Sequence, residues 1–170
     1  LMQDQLNQLI KKGIPAEGIY TGMSVPAIKT ILHKAAAGEL KFLYVSPERL
    51  ETRLFNEYLP YLPIRLIAVD EAHCISQWGY DFRPAYLNIS EIRKLKPAVP
   101  MLALTASATA EVLQDIIQKL NLHDAGIFRQ SFERPNLSYS VFQVESRTSR
   151  LVQILQKVPG TAIVYCKTRK

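Results

Sequence analysis

An α/β fold, with a parallel sheet flanked by helices, is what this sequence predicts, and three observations predict it. Short β-branched or aromatic runs alternate with longer amphipathic stretches. The run Leu66-Ile67-Ala68-Val69 is apolar at every position, the pattern of a strand buried on both faces. Val112, Ile116, Ile117 and Leu120 fall on one face when spaced helically.

Element by element, strands are expected at Gly18–Thr21, Lys41–Ser46, Leu66–Asp70, Met101–Thr105 and Gly126–Phe132. Helices are expected at Met2–Lys12, Val25–Ala37, Pro47–Leu59, Pro84–Leu95 and Ala108–Leu120. Pro135 interrupts regular pairing, so Phe132-Glu133-Arg134-Pro135-Asn136 reads as a connector. A first domain is therefore expected over residues 1–133 and the opening of a second over 134–170. That second unit should hold a strand near Leu137–Val144, a helix near Thr148–Lys157 and a strand at Thr161–Cys166.

The 170 residues, 48% hydrophobic, suffice for one domain or a little more. No apolar run approaches the roughly 18 residues of a membrane span, and no signal segment opens the chain. Both ends read as internal to a longer polypeptide. Cys74 and Cys166 are too few for a disulfide framework, so two reduced thiols in a cytosolic protein are expected. The net charge of +6 is unevenly placed. Residues 1–133 carry 14 basic and 14 acidic side chains, whereas 134–170 carry 7 basic against Glu145 alone. Such an excess suits a phosphate backbone, through counterion release, or a merely solvated basic face.

Asp70-Glu71-Ala72-His73 follows directly on the apolar run. Ligands of open α/β sheets bind beyond the carboxyl ends of the strands, so both acids should face a cleft. An Asp in that place holds magnesium through its water shell in nucleotide-hydrolysing motors, and a neighbouring acid can orient the attacking water. Two adjacent acids can do different work only where the chain is leaving the strand. His73 is placed to bridge such a site to a neighbouring loop. A rival metal site from Asp70, His73 and Cys74 lacks further ligands at zinc-like spacing.

The connector from Cys74 to Pro84 packs Trp78, Tyr80 and Phe82 beside Arg83 without any period, so it reads as a loop. Aromatics beside an Arg suit stacking on unpaired bases, although Trp78 and Phe82 as core plugs is the plainer alternative.

The run from Asp70 to Tyr86 closely resembles motif II and the aromatic-rich loop of RecQ-family DNA helicases. Leu1–Gln5 resembles the end of motif Ia, Phe42–Leu50 motif Ib and Ala103–Thr109 motif III. Ser131–Leu137 resembles the passage between the two motor lobes, and Ile163–Arg169 resembles motif IV. The likeness spans essentially the whole chain. Tyr80 stands where many members have His, and Ser107 where many have Thr.

The resemblance implies a RecA-like first lobe over residues 1–133 and the start of a second over 134–170. It implies an ATP-dependent motor moving 3′ to 5′ on single-stranded DNA and unwinding duplex DNA in recombination and repair. ATP and Mg2+ are the implied cofactors, with Asp70 on the metal through water and Glu71 on the hydrolytic water. His73 joins them as a catalytic candidate. Ser46, Pro47, Arg49, Gln77, Trp78, Tyr80, Phe82, Arg83, Ser107 and Thr109 are the implied DNA-binding or coupling residues. Ser46-Pro47 has independent support, since Ser suits an N-cap and Pro the first turn of a helix whose amides could meet a phosphate. Ser107 and Thr109 also fit ordinary helix caps. A cytoplasmic protein associated with a bacterial nucleoid is implied, with no membrane partner. The zinc-binding region of many relatives finds no ligands of its kind here, so no zinc is expected.

A phosphate-cradling loop requires G-x-x-x-x-G-K-[ST]. Gly13 and Gly18 have the glycine spacing, but Ile19-Tyr20 follows. The family carries its phosphate loop upstream of the Leu1 segment and its arginine finger downstream of Lys170. The chain alone is accordingly expected to be inactive.

Overall fold

The computed structural model describes residues 2–79, 81–122, 124–131 and 134–166. Tyr80 therefore lies outside the described residues, as do Leu1 of the motif Ia likeness, Phe132 and Glu133 of the connector, and Lys167–Arg169 of the motif IV likeness. The chain divides into two units, Leu1–Ile127 and Phe128–Lys170.

The first unit alternates helices and parallel strands. Helix α1 (Met2–Lys11) leads into β1 (Ala16–Ile19), α2 (Val25–Ala36) and β2 (Phe42–Val45). Next come α3 (Arg53–Tyr58), β3 (Ile67–Val69), α4 (Ile89–Leu95), β4 (Met101–Ala103) and α5 (Ala110–Lys119). β1 pairs with β2 and β3 with β4, both parallel, with Ala16 opposite Phe42 and Ile67 opposite Met101. The α/β class with parallel sheets and flanking helices is thus what forms. At Gly18 a Cβ would lie 2.7 Å from Leu6 Cδ1 of α1, so any larger residue there would push that side-chain tip aside.

β1 begins two residues before its expected start. Its length is set by the four residues of β2 that it faces, with Ser46 N donating to Ile19 O at the far end. The helix expected over Pro47–Leu59 is split into a 3-10 turn (Pro47–Arg49) and α3. Thr52 causes the break: its hydroxyl donates to Arg49 O at 2.7 Å and accepts from Phe55 N at 3.4 Å, capping the second piece. Pro84–Leu95 likewise opens as a 3-10 turn over Pro84–Asn88 before α4.

Two apolar clusters hold the unit together. Ile19, Ile28, Leu32, Phe55 and Leu59 centre one between α2, α3 and β1. Val69, Ile75, Val112, Ile116 and Leu120 centre the other, with three of the four residues of the predicted stripe buried against β3 and the segment after it, and Ile117 left half-buried at its edge. Leu50 and Ile67 pack against both. β3 is not buried on both faces as its composition suggested. Val69 is buried, but Leu66, Ala68, Leu102 and Leu104 are exposed, because the described helices cover one side of the β3–β4 pair only.

The second unit contains α6 (Arg147–Lys157), started by Ser146, whose hydroxyl accepts from Ser149 N. The Arg150 guanidinium sits 4.6 Å from the centre of the Phe142 ring. The strands expected at Gly126–Phe132, Leu137–Val144 and Thr161–Cys166 do not form among the described residues. A strand exists only through a partner that completes its ladder, and composition cannot supply one. No described helix is long and apolar enough to cross a membrane.

Candidate nucleotide and nucleic-acid site

β3 and β4 end side by side, and the segment after them carries the acids. Leu104 N donates to Val69 O and Ala72 N to Leu104 O, so the two strand ends stay tied beyond the formal ladder. Asp70 is exposed there, and its Oδ1 accepts from Glu71 N at 2.9 Å. Glu71 lies in the left-handed region, at φ 49° and ψ 42°. A non-glycine residue held there costs about 1–3 kcal/mol and tends to occur where the surrounding structure imposes a function. The turn takes Glu71 out of the strand direction, which is the departure that two adjacent acids need in order to act differently.

Ala72–Ile75 form a buried 3-10 turn. Within it the His73 Nδ1 lies 3.0 Å from Thr105 Oγ1 and 3.3 Å from Glu71 Oε2. His73 thus joins Glu71 to Thr105, two residues past the end of β4. Ser107 and Thr109 were expected as coupling residues or ordinary helix caps; the hydroxyl that meets His73 is that of Thr105. Ser107 is exposed, with its amide donating to Thr105 Oγ1, and Thr109 caps α5 by accepting from Val112 N. Thr105 was hidden because its place in an apolar strand read as structural.

The aromatic loop is a closed excursion. Arg83 N donates to Cys74 O at 2.9 Å, bringing its two ends together. Gly79 is required inside it, because a Cβ there would stand 2.9 Å from His73 O. Trp78 is 77% exposed and Gln77 is exposed; Phe82 is half-buried. Arg83 is largely exposed and pairs with Asp81 at 2.7 Å, which holds the Asp81 carboxyl below its ordinary range. Tyr86 closes the far side, its hydroxyl donating to Asp70 O at 3.3 Å. Burial pushes that hydroxyl up to about 12, so it stays a donor.

An anchor that sequence reasoning missed fixes this loop to α5. The fully buried Ser76 donates its hydroxyl to Asp115 Oδ2 at 2.7 Å and accepts from Trp78 N at 3.1 Å. Lys119 Nζ reaches both Asp115 Oδ2 and Ile75 O at 3.1 Å. The Ser76 hydroxyl, with Lys119 behind it, holds the Asp115 carboxyl below its ordinary value of 3.8. A carboxyl depressed by folding contributes stability that is complete above the unfolded value and is lost as pH falls through the folded one. Asp115→Ala should therefore cost roughly 1–3 kcal/mol near neutral pH, since Ser76 is left buried without its acceptor. The deficit should shrink as pH drops below about 4. Urea unfolding followed by far-UV circular dichroism checks both.

Ser46, Pro47 and Arg49 sit together at the carboxyl end of β2. Ser46 occupies the N-cap position with Pro47 behind it, as expected, yet it makes no side-chain cap and opens only one 3-10 turn. Its Oγ is buried without a hydrogen-bond partner among the described residues. Arg49 is committed to the fold in part, donating from Nη2 to Tyr20 O at 3.1 Å. This turn packs against Pro84–Asn88, where Asn88 donates to Glu51.

A parallel strand pair that ends in two acids, with an exposed aromatic loop beside it, is an arrangement compatible with the nucleotide-dependent motors among α/β proteins. The sequence profile of DEAD/DEAH box helicases matches residues 1–116. The RecQ ATP-dependent DNA helicase of Pasteurella multocida is 36% identical over 99% of this chain and 27% of its own length. That of Haemophilus influenzae is 38% identical over 99% and 28%. The probable ATP-dependent DNA helicase RecS of Bacillus subtilis is 38% identical over 100% and 35%. The chain belongs to the DEAD/DEAH box helicase family and, within it, to the motor core of the RecQ type. It spans about a third or less of the length of these relatives.

Proposed function

We propose that this chain is the part of an ATP-dependent DNA helicase in which nucleotide hydrolysis is joined to single-strand contact. Residues 1–133 are the first motor lobe without its phosphate loop, and 134–170 open the second. The observation that supports this most is His73, buried between the acid pair and the loop that exposes Trp78. Its ring touches Glu71 and the end of β4, so movement of the loop base is felt by the acid.

The donors present suit magnesium in part. Asp70 stands exposed at the sheet rim with one oxygen set by the Glu71 amide, the arrangement of a carboxylate that holds a hydrated cation. When bound, the ion would supply charge neutralisation at the phosphates of ATP. Glu71 would orient the attacking water. A phosphate cradle is absent, since the 170 residues contain no G-x-x-x-x-G-K-[ST].

Trp78, Phe82 and Gln77 would meet unpaired bases, with Arg83 and Tyr80 beside them, while Ser46, Pro47 and Arg49 would meet the backbone. Ser107 and Thr109 flank the relay from Thr105 towards the strand. Translocation 3′ to 5′, duplex unwinding in recombination and repair, and a cytoplasmic, nucleoid-associated location belong to this reading of the full-length polypeptide.

The purified 170-residue chain should show no DNA-stimulated ATP turnover, because its sequence carries no phosphate-loop motif to hold and neutralise the phosphates. A phosphate-release assay with and without single-stranded DNA tests this. Stimulated turnover by the chain alone would refute it. The full-length polypeptide should be stimulated by DNA more than by RNA.

A further inference from the structure

We infer that His73, Cys74 and Asp81 form a binding site for a thiophilic divalent cation of the zinc class. Three ligand atoms of three kinds, an imidazole nitrogen, a thiol sulfur and a carboxylate oxygen, lie within 4.8 Å of one another. Cys74 Sγ is 3.7 Å from His73 Nε2 and 3.8 Å from Asp81 Oδ2. Tetrahedral zinc, with sulfur near ~2.3 Å and nitrogen or oxygen near ~2.0–2.1 Å, asks for separations of about 3.6 Å. Both separations from the sulfur are within a few tenths of an ångström of that spacing, and closing the nitrogen and oxygen, which lie within 4.8 Å of each other, onto one ion takes a small movement of the exposed-side Asp81.

The surroundings match as well. A ligating histidine engages its other nitrogen with a carboxylate or similar group, and His73 Nδ1 faces Thr105 Oγ1 and Glu71 Oε2. A ligating carboxylate is itself hydrogen-bonded, and Asp81 accepts from Arg83. His73 and Cys74 are buried while Asp81 is partly exposed, so the ion would enter from the carboxylate side. Three protein ligands leave the fourth position to water. As the metal–sulfur bond forms, the Cys74 thiol gives its proton to solvent, so uptake releases one proton and tightens as pH rises.

Sequence spacing offered Asp70 as the third ligand; the fold supplies Asp81 instead, because the loop returns to Cys74 through the Arg83 amide. A bound ion would tie the base of the aromatic loop to its far arm and restrain Trp78. That consequence rests on the proposed function, whereas the ion site does not.

The test is cobalt(II) titration of the full chain carrying Cys166→Ser, which leaves Cys74 as its one thiol. The expected result is a thiolate-to-cobalt charge-transfer band that saturates at one equivalent and that zinc abolishes by displacement. Asp81→Asn, at a half-exposed position, should weaken binding at least ~10-fold, and Cys74→Ala should remove the band. No band in a folded Cys166→Ser chain would overturn the site. So would a band that survives Cys74→Ala, or binding unchanged in Asp81→Asn. Neither readout involves ATP or DNA, so failure of the ion site and failure of the motor reading stay distinguishable.

Discussion

Glu71→Gln in the full-length polypeptide should lower kcat for DNA-stimulated ATP hydrolysis by roughly 10²–10⁴-fold, the range of a lost general acid–base group. The substitution keeps size and hydrogen-bonding reach while removing the negative charge proposed to orient the water. Nucleotide affinity should change little, since Asp70 keeps its place through the backbone amide of residue 71. Glu71 is already held at a positive φ by the bonds around it, so the side chain's position survives the exchange. Steady-state turnover together with equilibrium binding of a fluorescent nucleotide separates the two effects. A variant with near-normal kcat would remove Glu71 from the chemistry.

The second large effect is at Trp78. Trp78→Ala should spare ATP binding and raise the single-stranded DNA concentration needed for half-maximal stimulation by roughly 5- to 100-fold. This corresponds to the ~1–3 kcal/mol that one stacked base is worth. The ring contributes little to the core, being 77% exposed, so stability should fall by no more than about 0.5 kcal/mol. Normal stimulation and unwinding in a folded variant would reduce Trp78 to a surface residue.

Much of this site was legible because the informative residues are local. Leu66–Val69 announced a strand, and acids directly after a strand have one place to go, the carboxyl rim. The concentration of aromatics between Cys74 and Pro84 announced a loop, but not that Trp78 would stand exposed while Phe82 is half-buried. What stayed hidden is non-local. Ser76 meets Asp115 across 39 residues, and nothing near either predicts the other. Thr105 was not among the candidates because strand pairing, which sequence does not specify, decides which hydroxyl reaches His73. Asp81 read as part of a stacking segment until the loop closed on Cys74. The strands expected at 126–132, 137–144 and 161–166, which do not form among the described residues, make the same point, since an apolar run becomes a strand only beside another.

A double-mutant cycle on DNA-stimulated kcat in the full-length polypeptide, pairing Thr105→Val with Trp78→Ala, tests the joint most directly. Thr105 contacts the acid side through His73, and Trp78 stands at the proposed DNA side. The two should be coupled by about 0.5–3 kcal/mol, the double variant being less impaired than the product of the singles. Additivity within about 0.3–0.5 kcal/mol would contradict the account, because the two ends would then act independently.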